Sequence, residues 1–122
     1  AIIWDALDAG KLTPKAKNAI KRYHRDIIVC DISLWEIAML VKRGRLVMDE
    51  PASQFLNLVL QSRHYFVQGI TPEIAELSTK LGAAINSDPA DRLIAATSIL
   101  MNAPIVTADE NLRQAPVLET IW

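Results

Sequence analysis

Helical and extended hydrophobic patterns alternate along the 122-residue chain, with no internal repeat, low-complexity tract or Gly/Ser linker. Thr13-Pro14 opens a helix whose apolar positions Ala16, Ala19, Ile20 and Tyr23 share one face, with Lys15, Lys17, Lys21 and Arg22 toward water. Ile27-Ile28-Val29-Cys30 is a short β-branched run without alternation, the pattern of a strand covered on both faces. Ser33 then begins a helix that runs through Lys42 and ends at Gly44, and Pro51 begins another with Phe55, Leu56, Val59 and Leu60 inward. Tyr65-Phe66-Val67 reads as a strand. Thr71-Pro72 starts a helix with Ile74, Leu77, Leu81 and Ile85 at helical spacing, its far end weakened by Gly82. Pro89 opens an almost wholly apolar helix whose stretch from Leu93 to Met101 predicts the most buried helix of the fold. Ile105-Val106 is the next strand, and Val117-Leu118 starts the last. This alternation predicts an α/β fold in which helices flank a central, mainly parallel sheet.

Composition narrows the setting. With 51% hydrophobic and 22% charged residues, the chain fits one domain over residues 1–122 with one core. Thirteen Lys+Arg against fourteen Asp+Glu leave a formal charge of −1, so any contact with nucleic acid must be local. The single cysteine, Cys30, cannot form an intrachain disulfide, and no Cys/His spacing is of the zinc type; a reducing, cytoplasmic setting is expected. The apolar stretch ending at Met101 is about half of the ~20 residues needed to cross a bilayer, so no membrane association is expected. The chain begins Ala1-Ile2-Ile3-Trp4 with no visible targeting segment, and an upstream segment is expected.

Three acidic residues fall where predicted strands pass into helices: Glu36 in Ser33-Leu-Trp-Glu36, Asp91 in Asp88-Pro-Ala-Asp91, and Asp109 in Thr107-Ala-Asp109-Glu110. In an open parallel sheet the carboxyl ends of the strands line one edge, so these groups can converge despite their separation in sequence. Ionised carboxylates a few ångströms apart repel, and a hard divalent cation, Mg²⁺ or Mn²⁺, is the simplest way to hold them together. Helix capping is the competing reading. Ser33-x-x-Glu36 and Thr107-x-x-Glu110 have the form of capping boxes, and Asp88-Pro89 is an N-cap followed by proline. Asp91 and Asp109 stand apart, because Asp88 and Thr107 already supply caps at their junctions.

Other candidates carry less. His24 and His64 sit near predicted helix ends, where a dipole role suffices. Gly10, Gly44, Gly69 and Gly82 form neither a P-loop nor a dinucleotide fingerprint. Lys11, Lys15, Lys17, Lys21, Arg22 and Arg25 make a basic segment that can touch phosphates or simply face solvent. Trp4 and Trp35 are expected in the core or at an interface.

The ordered pair Asp88-Pro-Ala-Asp91-Arg-Leu-Ile-Ala-Ala96 and Pro104-Ile-Val-Thr-Ala-Asp109 is similar to the third and fourth acidic motifs of the PIN-domain ribonucleases, specifically the VapC-like toxins of toxin–antitoxin pairs. Ala1-Ile-Ile-Trp4-Asp5, Leu12-Thr-Pro14, Ser33-Leu-Trp-Glu-Ile37 and Gly44-Arg-Leu46 extend the resemblance nearly end to end. It implies that Glu36, Asp91 and Asp109 are the second, third and fourth acidic residues and hold Mg²⁺ or Mn²⁺ for hydrolysis of an RNA phosphodiester. Thr107 would support them by hydrogen bonding, with Ser33 and Asp88 beside them. It also implies a homodimer, a cognate antitoxin protein, and a PIN-like three-layer fold whose first acidic residue and first central strand lie upstream of Ala1. Asp5 and Asp8 do not replace that residue, because the resemblance places them beyond the strand end. Two other classes stay open on the sequence: a receiver-like phosphoacceptor domain, which needs a strand-end lysine absent after Ile105-Val106, and a non-catalytic interaction domain in which the caps are only caps.

Overall fold

The structure, a computed structural model, describes residues 12–83, 85 and 87–122. The expected roles of segment 1–5, Asp8, Gly10 and Lys11 lie outside the described residues, as does an upstream first strand. Four short strands and six helices alternate: α1 (Pro14–Arg22), β1 (Ile28–Cys30), α2 (Asp31–Lys42), α3 (Ala52–Arg63), β2 (Phe66–Gln68), α4 (Pro72–Lys80), α5 (Pro89–Met101), β3 (Ile105–Val106), α6 (Glu110–Arg113) and β4 (Thr120–Ile121). The α/β class follows the sequence pattern. Among the described residues the strands form two parallel pairs, β1 with β2 and β3 with β4, in register Val29 to Val67 and Val106 to Ile121. No helix among them is long and apolar enough to cross a membrane.

Cap chemistry sets most helix starts. The Thr13 Oγ1 accepts from the Ala16 N–H at 3.1 Å, and the Thr71 Oγ1 accepts from the Ile74 N–H at 3.2 Å; proline follows both, pre-set for the first turn. Gly44, with φ +72°, takes the left-handed turn that stops α2, and His64 and Asn102 take it at φ 56° and 50° to end α3 and α5. α2 departs from expectation. It starts at Asp31, directly after β1, with Cys30 at the cap position and no side-chain cap. Ser33 is thus in the first turn and the expected Ser33/Glu36 capping box does not form: the strand passes into the helix without the intervening turn a cap would occupy.

The core has two centres. Val29, Ile37, Phe55, Val59 and Tyr65 pack together under Leu34, Leu46 and Leu60, joining β1, α2 and α3. Ile85, Ala95, Leu112 and Ala115 form the second, below Leu81 and Leu118. Leu81 and Ile85 are therefore core residues, but of the loop after α4, which ends at Lys80, ahead of Gly82. That loop is held by Arg92. Its Nε and Nη1 donate to the Ser78 and Ile85 carbonyls at 2.9 and 3.1 Å, and its Nη2 to the Leu81 carbonyl. One planar fork so satisfies carbonyls that the end of α4 leaves without helical partners.

α5 has five buried residues, more than any other helix, and packs on α4, α2 and β1. Its closest approaches are made by small side chains, Ala90, Ala95 and Ala96, while Ile94 and Ile99 are half-buried and Leu100 and Met101 exposed. Tyr23 and Trp35 are also more open than expected, 47% and 57% exposed; Arg22 lies over the Tyr23 ring with its guanidinium carbon 5.4 Å from the centroid. Val117 is exposed and the last strand begins at Thr120, after a turn closed by the Leu118 N–H donating to the Ala115 carbonyl.

Candidate active site

Because β1 and β2 run parallel, the residues that follow them leave from one edge. Asp31 is the first residue beyond β1, and Glu36 lies in the second turn of α2. Gly69, just past β2, comes close to the Asp31 carboxylate: a Cβ there would lie 3.9 Å from Asp31 Oδ2. Asp31 Oδ1 is buried and has no hydrogen-bond partner among the described residues. The sequence reading passed over Asp31 because it placed the start of the helix at Ser33; the signal was an acidic residue immediately after a β-branched run.

Asp88 caps α5, its Oδ1 accepting from the Ala90 N–H at 2.8 Å and the Asp91 N–H at 3.4 Å. Asp91 is 9% exposed, a carboxylate inside the first turn of a helix whose cap is already filled. Asp109 is different from expectation. It is itself the N-cap of α6, its Oδ1 accepting from the Asn111 and Leu112 N–H groups at 2.8 and 3.2 Å. The Thr107 Oγ1 accepts from the Asp109 N–H at 3.1 Å, so Thr107 shapes the turn that presents Asp109 and the expected Thr107/Glu110 capping box is absent. An aspartate that reaches its own helix start leaves no room for a threonine two residues earlier to cap it.

These separate junctions meet electrostatically at Glu36. Burial first, then repulsion by Asp91, Asp88 and Asp109 in that order, raises the Glu36 carboxyl above its ordinary range. Beneath them the Cys30 thiol, hydrogen-bonded to Thr97, is also pushed up, by burial and then by Asp31 and Glu36; it stays a protonated thiol at neutral pH. Each raised group registers the same excess of negative charge.

A group with a raised acid pKa stabilises the folded state only while protonated. The penalty of ionising Glu36 is absent below the unfolded value, about 4.3, and grows as pH rises through the higher folded value. Glu36→Gln, in EDTA, is therefore expected to raise the melting temperature at pH 7 and to leave it unchanged near pH 4. Equal shifts at both pH values would show that the substitution acts through packing.

The donor set suits a hard dication: oxygen only, carboxylates from three chain segments, and an orphaned carboxylate oxygen on Asp31 at the same strand end. Among the described residues no three His, Cys, Asp or Glu side chains stand close enough to enclose one ion. Mg²⁺ asks for less, since it keeps several waters and takes one or two carboxylates from the protein. Outside this edge, His24 donates from Nδ1 to the Lys21 carbonyl at 3.0 Å, as expected for a ring at a helix end.

A family model described as PIN domain matches residues 1–118. The chain is 34% identical over 122 residues to Ribonuclease VapC22 of Mycobacterium tuberculosis (strain ATCC 25618 / H37Rv), an alignment that covers 98% of this chain and 91% of the relative. No solved structure matches the chain.

Proposed function

The chain belongs to the PIN domain family, and from that premise we propose that its 122 residues form one domain that hydrolyses RNA phosphodiester bonds with Mg²⁺ or Mn²⁺ and serves as the toxin of a toxin–antitoxin pair. The observation that carries this reading is the raised Glu36 carboxyl, which ties Asp91, Asp88 and Asp109 from three chain positions to one place. Scattered helix caps have no reason to act on one another. The relative's printed name, a ribonuclease, supports RNA as the substrate, and its VapC designation supports an antitoxin protein as partner. A homodimer completes the proposal.

In this reading Glu36, Asp91 and Asp109 hold the cation, which when bound supplies Lewis-acid polarisation of the phosphate and a water of lowered pKa. Asp91, held in the first turn of α5 behind the Asp88 cap, fixes one ligand direction. Asp109, tied by its own capping bonds and by Thr107, fixes a second. Glu36 supplies the third and, with its raised affinity for a proton, is the member able to take one from the attacking water. Without a cation this edge repels RNA; neutralising the carboxylates removes that barrier.

The test is direct. Purified protein should cleave single-stranded RNA in Mn²⁺ and stop in EDTA. Cleavage that persists in EDTA, or no cleavage of any RNA by protein with bound Mn²⁺, would overturn the proposal; phosphate uptake from a small phosphodonor would favour the receiver-like alternative instead.

A further inference from the structure

The cations of this near-neutral chain are not evenly spread. Lys17, Lys21, His24 and Arg63 line a cleft of about 420 Å³ whose remaining wall is Ile20, Ile27 and Tyr65, with no acidic residue among them. Lys17 and Lys21 are one helical turn apart on α1, so they form a stripe with about 6 Å between successive cations. Ile27 and Tyr65 immediately precede β1 and β2. The cleft therefore lies at the amino ends of the parallel pair, about 10 Å of strand away from the carboxylate end.

A second cleft, of about 340 Å³, flanks the other side of α1: Lys15 and Arg113 line it with Glu110, Thr120 and Trp122. Arg113 and Glu110 belong to α6, the helix capped by Asp109. Lys15 on one side of α1 and Lys17 and Lys21 on the other thus join the two clefts into one cationic track. Its near end abuts a carboxylate of the proposed active site, and its far end is Arg63.

We propose that this track over α1 binds the backbone of the RNA strand leaving the carboxylate site, a binding surface separate from the residues that hold the cation. It rests on the ribonuclease reading. Charge complementarity selects a polyanion, and two features select RNA over an acidic peptide. The track opens at the carboxylates, where a scissile phosphate is brought by the cation but a peptide carboxylate gains nothing. The near cleft also carries the Trp122 ring, which a nucleobase can stack on and an acidic side chain cannot use.

The experiment compares wild type with Lys17→Ala/Lys21→Ala. In EDTA, the affinity for a long single-stranded RNA is expected to fall about tenfold at low salt. The slope of log affinity against log salt should shrink by about 1.4, because each phosphate contact to a single strand contributes roughly 0.7. Lys17→Arg/Lys21→Arg should restore both, which loss of fold would not allow. Cleavage of a trinucleotide in Mn²⁺ should be the same in all three proteins. An alanine variant that keeps the wild-type affinity and salt slope overturns the track, even if it still cuts RNA. A protein that binds long RNA with the expected slope yet cuts none removes the nuclease reading and leaves the binding surface. Displacement of RNA by oligoglutamate of equal charge at lower concentration would reassign the track to an acidic protein segment.

Discussion

Asp91→Asn is expected to lower metal-dependent RNA cleavage by about a hundredfold or more while the protein stays folded, because a ligand to a catalytic cation contributes several kcal/mol to the transition state. The change keeps the shape of the side chain and removes its charge. Asp91 sits inside α5, 9% exposed, behind a cap that Asp88 already supplies. A dipole role alone would be worth about 0.3–1 kcal/mol of stability and no activity. The two roles therefore predict opposite readouts. As a ligand, Asp91 is also the strongest of the charges that raise Glu36. Its neutralisation should let the Glu36 carboxyl titrate at lower pH, measurable by carboxyl NMR, and the metal-free variant should be at least as stable as wild type while Mn²⁺ affinity falls. Purified Asp91→Asn protein that cuts RNA at the wild-type rate in Mn²⁺, and not in EDTA, would remove Asp91 from the site and most of the mechanism with it.

Much of this arrangement is legible in the sequence wherever a local interaction decides. Thr13-Pro14, Thr71-Pro72 and Asp88-Pro89 announce helices because the cap and the proline act within three residues. Ile105-Val106 announces a strand because both residues are β-branched. Cap identity proved harder. Ser33 and Thr107 match capping-box spacing, yet the helices begin at Asp31 and Glu110, with Cys30 and Asp109 at the cap positions. Spacing does not decide which of several polar groups reaches the first free N–H. The same limit hid Arg92, whose guanidinium serves carbonyls up to fourteen residues back, at Ser78. It hid the electrostatics of Glu36 too, since that carboxyl is set by residues more than fifty positions away that only the tertiary fold brings near. Aliphatic content also misled: α5 is central because alanines let it approach its neighbours closely, while its isoleucines remain half-buried.

That last distinction locates the largest stability effect away from α5. Phe55→Ala is expected to cost about 3–5 kcal/mol, the range for deleting a buried ring and leaving a cavity, whereas Ile94→Ala and Ile99→Ala, half-buried, should fall toward or below the low end of the ~2–5 kcal/mol range for a buried aliphatic. Phe55 is 7% exposed and packs with Val29 of β1, Ile37 of α2 and Val59 and Tyr65. It so backs both the strand that leads to Asp31 and the helix that carries Glu36. For a domain whose total stability is about 5–15 kcal/mol, the loss removes a large share and should lower the melting temperature by roughly 10–20 °C. Phe55 contributes no polar atom to the carboxylate edge. Well below its melting point the variant should therefore cleave RNA at a rate close to wild type, and lose activity in step with loss of near-UV circular dichroism as temperature rises. Phe55→Leu, which refills most of the volume, should recover more than half of the loss. A Phe55→Ala protein less than about 1 kcal/mol below wild type would mean that the contact between α3 and the β1–α2 junction is not what holds the catalytic edge in place.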